Sequence, residues 1–259
     1  MGAAALAAVR WPIQSLSLSY NLVTDQGVAA LAASGGSWPL QRLKLCGNTL
    51  TDGCIPAALA DASWTGLLQQ LSLAHNFLGD TAAAALADTH WPALSELQLS
   101  RNRISPEGAA ALAGGSFPAL KVLDLSPNQL GAGGAAAIAA GNYTLERLYI
   151  DNNDIGAAGA AALSAARWPD LNTLFIRGNE LGVEGAVALT AACWPKLNTL
   201  YVGSQLGAKG NAIITAKWRA IKRLSMDDDV DDEEEEEEEE EGSSEEEEYT
   251  SDDDDHFPG

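Results

Sequence analysis

The sequence is poor in the residues that carry chemistry. Its three histidines, His75, His90 and His256, form no HxxxH or HExxH pairing, which leaves no histidine-based zinc motif. Its three cysteines, Cys46, Cys54 and Cys193, are odd in number and make no CxxC. A disulfide framework is therefore not expected, and the usage points to reduced thiols in a cytoplasmic or nuclear compartment. No GxxxxGK[ST] or GxGxxG segment joins a strand to a helix, so no phosphate-cradling loop is visible. The stretch Asp151–Gly156 opens like a calcium loop, but it puts Ile155 at a ligand position and Ala162 where a bidentate Glu is needed. Asn142, Tyr143 and Thr144 form a glycosylation sequon without an accompanying export signal. Apolar runs are short as well; none reaches the roughly 18 residues of a membrane span. These absences argue against an enzyme and against a cofactor or metal.

Basic residues are missing from one region altogether: no Lys or Arg follows Arg223. Of the 36 acidic residues, 22 lie between Asp227 and Asp255. Residues 1–226 then hold 14 acids against 15 bases, so the formal charge of −21 belongs to the tail and the body is close to neutral. Residues 227–259 hold too little apolar surface to fold and are expected to be a disordered acidic tail. Such a tail is either a self-repelling solubiliser or an attractor of a basic protein through long-range electrostatics. Ser243, Ser244, Thr250 and Ser251 each have an acid three residues on, a pattern resembling the sites of an acid-directed kinase. Neither part suggests nucleic acid or membrane as a partner.

What the body has in abundance is a repeat. Asn recurs at 21, 48, 76, 102, 128, 153 and 179, each within an L-x-L-x-x-N-x-L pattern such as Leu97–Ile104 or Leu123–Leu130. An eighth unit, Leu200–Leu206, has lost one residue at the Asn, and Ile221–Met226 reads as a ninth strand. Alternation at L-x-L predicts a short strand with one buried face. After it the period becomes helical, as in Gly159–Arg167, where small residues allow close packing. The Asn amide can satisfy backbone groups that the bent strand leaves unpaired, and stacked repeats turn such amides into a ladder. The seven Trp residues, at 11, 38, 64, 91, 168, 194 and 218, share one phase of the repeat, with Phe117 and Tyr143 in the remaining slots. Pro follows in six of these cases, ending the helix and sending the chain into the next strand.

The strand motif with Asn, the GAxALA-type helix and the repeat length resemble the leucine-rich-repeat superfamily, and within it the ribonuclease-inhibitor-like subclass. The resemblance covers residues 1–226. It implies an α/β solenoid, a horseshoe with a parallel sheet on the concave side, helices on the convex side and a protein partner on the concave face. Thr51–Pro56 departs from the pattern by an extra residue and a Pro, so that helix is expected to start late or bulge. Gly2–Pro12 aligns without gaps to Gly159–Pro169, so the first repeat is expected to be truncated, beginning at its helix with no capping element. Ran GTPase-activating proteins join a similar solenoid to an acidic tail. Their essential arginine maps to no single position here, although Arg101 and Arg103 flank Asn102 in a suitable turn. The acidic nuclear phosphoproteins, which bind histones, pair acidic tails with repeats of a different subclass.

The candidate site lies on the sheet. The middle position of L-x-L reads Ser17, Lys44, Ser72, Gln98, Asp124, Tyr149, Phe175 and Tyr201. On strands about 4.8 Å apart, the last three rings should stand side by side, with Arg147, Asp151 and Arg177 at flanking positions of the same face. The rings either pack on each other and stiffen the sheet, or form an exposed interface hot spot. The bordering charges favour the second reading, in which Tyr149, Phe175, Tyr201, Arg147, Asp151 and Arg177 bind a partner and truncating a ring costs little stability.

Overall fold

The computed structural model describes residues 12–33, 38–53 and 64–227. The expectations for the truncated first repeat, for the late helix near Pro56 and for the tail beyond Asp227 lie outside these residues, as do Trp11 and Cys54.

Among the described residues, nine three-residue strands form one parallel sheet in sequence order. They are β1 (Ser15–Ser17), β2 (Arg42–Lys44), β3 (Gln70–Ser72), β4 (Glu96–Gln98), β5 (Val122–Asp124), β6 (Arg147–Tyr149), β7 (Thr173–Phe175), β8 (Thr199–Tyr201) and β9 (Arg223–Ser225). Each has Leu at its centre, and every central Leu pairs with the next, from Leu16↔Leu43 to Leu200↔Leu224. Because side chains alternate across a strand, this register puts all nine Leu residues on one face and the residues on either side of them on the other.

Seven α-helices lie among the described residues: α1 (Asp25–Ala33), α2 (Asp80–Asp88), α3 (Pro106–Gly114), α4 (Gly131–Ala140), α5 (Gly156–Ser164), α6 (Gly182–Leu189) and α7 (Gly207–Lys217). In α3 to α6 the buried positions repeat as Gly, Ala and a branched residue, such as Gly108, Ala109 and Leu112 in α3 and Gly159, Ala160 and Leu163 in α5. The small residues are needed where neighbouring helices meet. A Cβ on Gly159 would stand 3.1 Å from Ala135 Cβ and 2.6 Å from Ile155 Cβ. No helix among the described residues is long and apolar enough to cross a membrane.

The predicted amide ladder is present. Asn76 Nδ2 donates to the carbonyls of Leu45, Leu73 and Ala74, and its Oδ1 accepts from the Leu50 N–H. Asn48, Asn102, Asn153 and Asn179 repeat that set of three donations. The residue before the ladder Asn takes the left-handed conformation at Tyr20, Gly47, His75, Arg101, Asn152 and Gly178. Pro127 occupies the same position in the fifth repeat, and its ring forbids positive φ. There Asn128 donates to Leu99 and Leu125 alone.

At the eighth repeat, where the Asn is lost, Ser204–Leu206 forms a short 3-10 turn. Gln205 Oε1 accepts from the Glu180 N–H, one residue before the N–H that the ladder Asn takes in the other repeats. Gln205 Nε2 is buried without a partner, so the donor half of the rung is lost. The described members of the aromatic series close the core as expected, from Trp91 at 0% exposure to Trp218 at 9%.

Candidate functional site

Register alone brings the aromatic row together. Asp124 pairs with Tyr149, Tyr149 with Phe175, and Phe175 with Tyr201, all on the face turned away from the central Leu residues. The rings do line up. Tyr149 and Phe175 have centroids 4.8 Å apart at a 34° tilt, and Phe175 and Tyr201 stack at 4.1 Å and 20°. Offset stacking at these distances adds about 0.5–1.5 kcal/mol per pair beyond burial.

The charged neighbours are equally ordered. Asp151 and Arg177 stand two residues beyond the ends of β6 and β7, one repeat apart. Asp151 Oδ2 accepts from Arg177 Nε at 3.1 Å and Nη2 at 3.0 Å, while Oδ1 accepts the Arg177 backbone N–H at 2.6 Å. One carboxylate thus fixes both ends of one arginine. The guanidinium then lies 5.4 Å from the Phe175 ring centre and 5.9 Å from that of Tyr201, within cation–π range. Arg147 stands two residues before Tyr149 on the same face and is exposed.

One expectation fails here. Phe175 and Tyr201 are not exposed rings; each keeps 8% of its surface, and Tyr149 is half-buried. The rings cover one another, and Arg177 lies over two of them. Truncation therefore carries a real stability cost. Removing a buried Phe side chain forfeits about 2–3 kcal/mol of burial, before the stacking contribution is counted.

The sequence reading also passed over Asp124. It sits beside Tyr149 in the row, accepts the Ser126 N–H at 2.9 Å and has no cation partner among the described residues. Burial pushes its carboxyl up to about 6, against the lowering effect of hydrogen bonds from Ser126 and Ser100, and nearby Asp151 raises it further. The residue stood in the outward series, but nothing in that series distinguished it from the polar residues before it.

A second set of acids was missed for the opposite reason: it is structural. Asp25 accepts from Thr51, Asp52 from the Gly79 and Ala82 N–H groups, and Asp80 from Ser105 and the Gly108 N–H. Each caps backbone donors one repeat ahead; those of Asp52 and Asp80 lie at or just before the start of a helix, where a carboxylate is also favoured by the helix dipole.

Comparison with known proteins agrees with this architecture. A family model described as leucine-rich repeat matches residues 12–32, 92–113, 118–139 and 141–164. A search of the curated proteins finds no match. Among solved structures, a plant ice-binding protein is similar at 17% identity and a TM-score of 0.51, with 87% of this chain and 67% of the other covered. A plant peptide hormone receptor, RGFR1 in complex with RGF2, is similar at 17% identity and a TM-score of 0.41. There 82% of this chain is covered, and this chain spans 35% of the receptor's length.

Proposed function

From the premise that this chain is a leucine-rich-repeat protein, we propose that it is a non-enzymatic protein–protein interaction scaffold. Its partner docks on the face of the sheet turned away from the helices, which is the concave face in ribonuclease-inhibitor-like solenoids. The observation that carries the reading is the ordered row Tyr149–Phe175–Tyr201 with the Asp151–Arg177 pair beside it.

Burial within the row supports an interface in a different way from exposure. Rings and a guanidinium already held in place have little conformational freedom left to lose when a partner arrives, and preorganisation raises affinity by lowering that cost. Tyr149 and Arg147, at the open end of the row, are the residues that retain surface to offer. Asp124 beside them is a partly desolvated carboxylate without a cation, and a basic side chain of the partner would neutralise it.

The test is affinity capture from cell extract with the wild-type chain and with an Arg147→Ala/Tyr149→Ala variant, followed by titration of each captured protein. The variant is expected to weaken binding by about tenfold or more, since an anchoring aromatic contributes on the order of 2 kcal/mol. An unchanged partner set with unchanged affinities overturns the assignment. Stimulation of GTP hydrolysis by Ran would replace it with the GTPase-regulator reading. Loss of basic partners on deletion of residues 227–259 would move recognition to the acidic tail.

A further inference from the structure

Five large apolar side chains are exposed among the described residues, and three of them lie together, apart from Leu67 and Val187. Tyr20 at 74%, Leu22 at 86% and Phe77 at 45% exposure lie on the strand-exit edge of the first three repeats, one position before or after the ladder Asn. The left-handed turns aim this edge outward: Tyr20, His75 and Arg101 have φ of 55°, 54° and 52°. In the second repeat the corresponding residue is Gly47, and its bare Cα leaves room for the Tyr20 ring. A Cβ there would stand 2.4 Å from Tyr20 Cδ1. Tyr20 therefore crosses a whole repeat, and its ring centre comes within 6.3 Å of that of His75. One repeat further on, the Arg103 guanidinium lies 4.8 Å from the centre of the Phe77 ring.

The charge on this edge is uncompensated. Arg101 and Arg103 are exposed, and neither has an acidic partner among the described residues. Three acids of the neighbouring turns and helix starts, Asp25, Asp52 and Asp80, are engaged with backbone and hydroxyl groups of the following repeat. The positions equivalent to Phe77 and Arg103 in the sixth and seventh repeats are Asp154 and Glu180, so the basic and aromatic character is confined to the N-terminal part of the edge.

We propose that the edge formed by Tyr20, Leu22, His75, Phe77, Arg101 and Arg103 docks an acidic segment of a partner protein that carries an apolar anchor residue. The anchor lies against Tyr20, Leu22 and Phe77, and carboxylates on either side of it pair with Arg101 and Arg103. Two unpaired arginines beside exposed rings select the sign of the partner, because a basic segment would meet like charge and an uncharged apolar one would leave both arginines unused. This surface shares no residue with the aromatic row on the sheet, and the proposal does not rest on that row.

The experiment uses the full chain and a fluorescein-labelled peptide of Glu and Asp around a central Leu-Phe pair, read by fluorescence anisotropy. Two comparison peptides replace the central pair with Ala or the acids with Lys. The acidic Leu-Phe peptide is expected to bind, at least tenfold more tightly than either comparison peptide, and to weaken as salt rises. The Arg101→Ala/Arg103→Ala and Leu22→Ser/Phe77→Ser variants should each lose about tenfold or more, with melting temperatures near wild type because these side chains are exposed. Tyr149→Ala should leave the affinity unchanged, which separates this edge from the sheet face. Absence of binding by the wild type, equal binding of all three peptides, or indifference to the edge variants overturns the proposal. Self-association abolished by Leu22→Ser/Phe77→Ser would assign the edge to a second copy of the chain and overturn it too.

Discussion

Asn179 is the rung of the ladder whose loss should be felt most. Its side chain is fully buried. Nδ2 donates to the carbonyls of Ile150, Ile176 and Arg177 at 2.9, 2.9 and 3.0 Å, and Oδ1 accepts from the N–H groups of Asn153 at 2.9 Å and Ile155 at 3.4 Å. Alanine removes all five contacts. Two of the carbonyls keep another donor: Ile150 O still receives Asn153 Nδ2, and Arg177 O still receives the Asn152 N–H. The buried N–H groups of Asn153 and Ile155 lose their acceptor, at about 1–3 kcal/mol each, so Asn179→Ala should cost about 2–5 kcal/mol. Asn21→Ala is the internal control. That amide is exposed and donates only to Leu18 and Ser19 of its own turn, so its loss should cost less than about 1 kcal/mol. Urea unfolding followed by circular dichroism measures both variants. Because repeat arrays can open locally, hydrogen exchange at the Asn153 amide locates the damage. Exchange there should accelerate by roughly 30-fold or more in Asn179→Ala, the equivalent of about 2 kcal/mol. Equal costs for the two variants, or an Asn153 amide that stays protected, would refute the ladder's role in holding adjacent repeats together.

Asp124→Asn should change the pH dependence of stability. The folded-state value near 6 lies above the ordinary 3.8, so the native state binds the extra proton and this carboxylate lowers stability as pH rises through that window. The variant should gain on the order of 1–3 kcal/mol at pH 7 and lose that advantage below about pH 4, and denaturant melts showing the same gain at both pH values would sink the reasoning. Gly178→Ala should lower the melting temperature, because Gly178 has φ +64° and a Cβ there would fall 1.8 Å from Asn152 Oδ1. A cost of roughly 1–3 kcal/mol follows from strain alone, and a variant as stable as wild type would show that the turn can rearrange.

The repeat was legible because it rests on residue types at a fixed phase. Leu at the strand centre, Asn at the turn and an aromatic before the next strand each serve the same neighbours in every repeat, so one-dimensional spacing carries three-dimensional information. The alignment of Tyr149, Phe175 and Tyr201 was legible for the same reason. Their burial was not. Whether rings on adjacent strands point into solvent or lie on one another depends on rotamers and on what covers their edges. Here Arg177 covers two of them, held from both ends by Asp151. Asp124 shows a related limit, since an Asp in a series of polar outward residues reads as solvated until its surroundings are known. Gln205 shows another. A deletion at the ladder position looks like a lost rung, and only the structure shows a longer side chain reaching a neighbouring backbone N–H instead.

The two surfaces differ in a way that follows from how the template divides its positions. Leu and Asn positions are committed to the core and to the backbone, and changing them costs stability wherever they occur. The outward strand position and the two positions flanking the ladder Asn carry no such obligation, as the variety of residues at each demonstrates: Ser, Lys, Gln, Asp, Tyr and Phe at the first, and Tyr, Gly, His, Arg, Pro and Asn before the Asn. Large rings there are not required by the fold. In the sixth to eighth repeats they occupy the strand position and become part of the packing, because strands stand close enough for neighbouring rings to stack. In the first and third repeats they flank the ladder Asn at the turn, Tyr20 with positive φ and Phe77 one residue after the Asn, and no ring stands on the adjacent turn to cover them. The same residue types thus give a preorganised, largely buried row in one half and an exposed edge in the other. A partner of the row would gain from rigidity already in place. A partner of the edge would gain from burying apolar surface that now faces water, at about 25 cal/mol for each Å² removed.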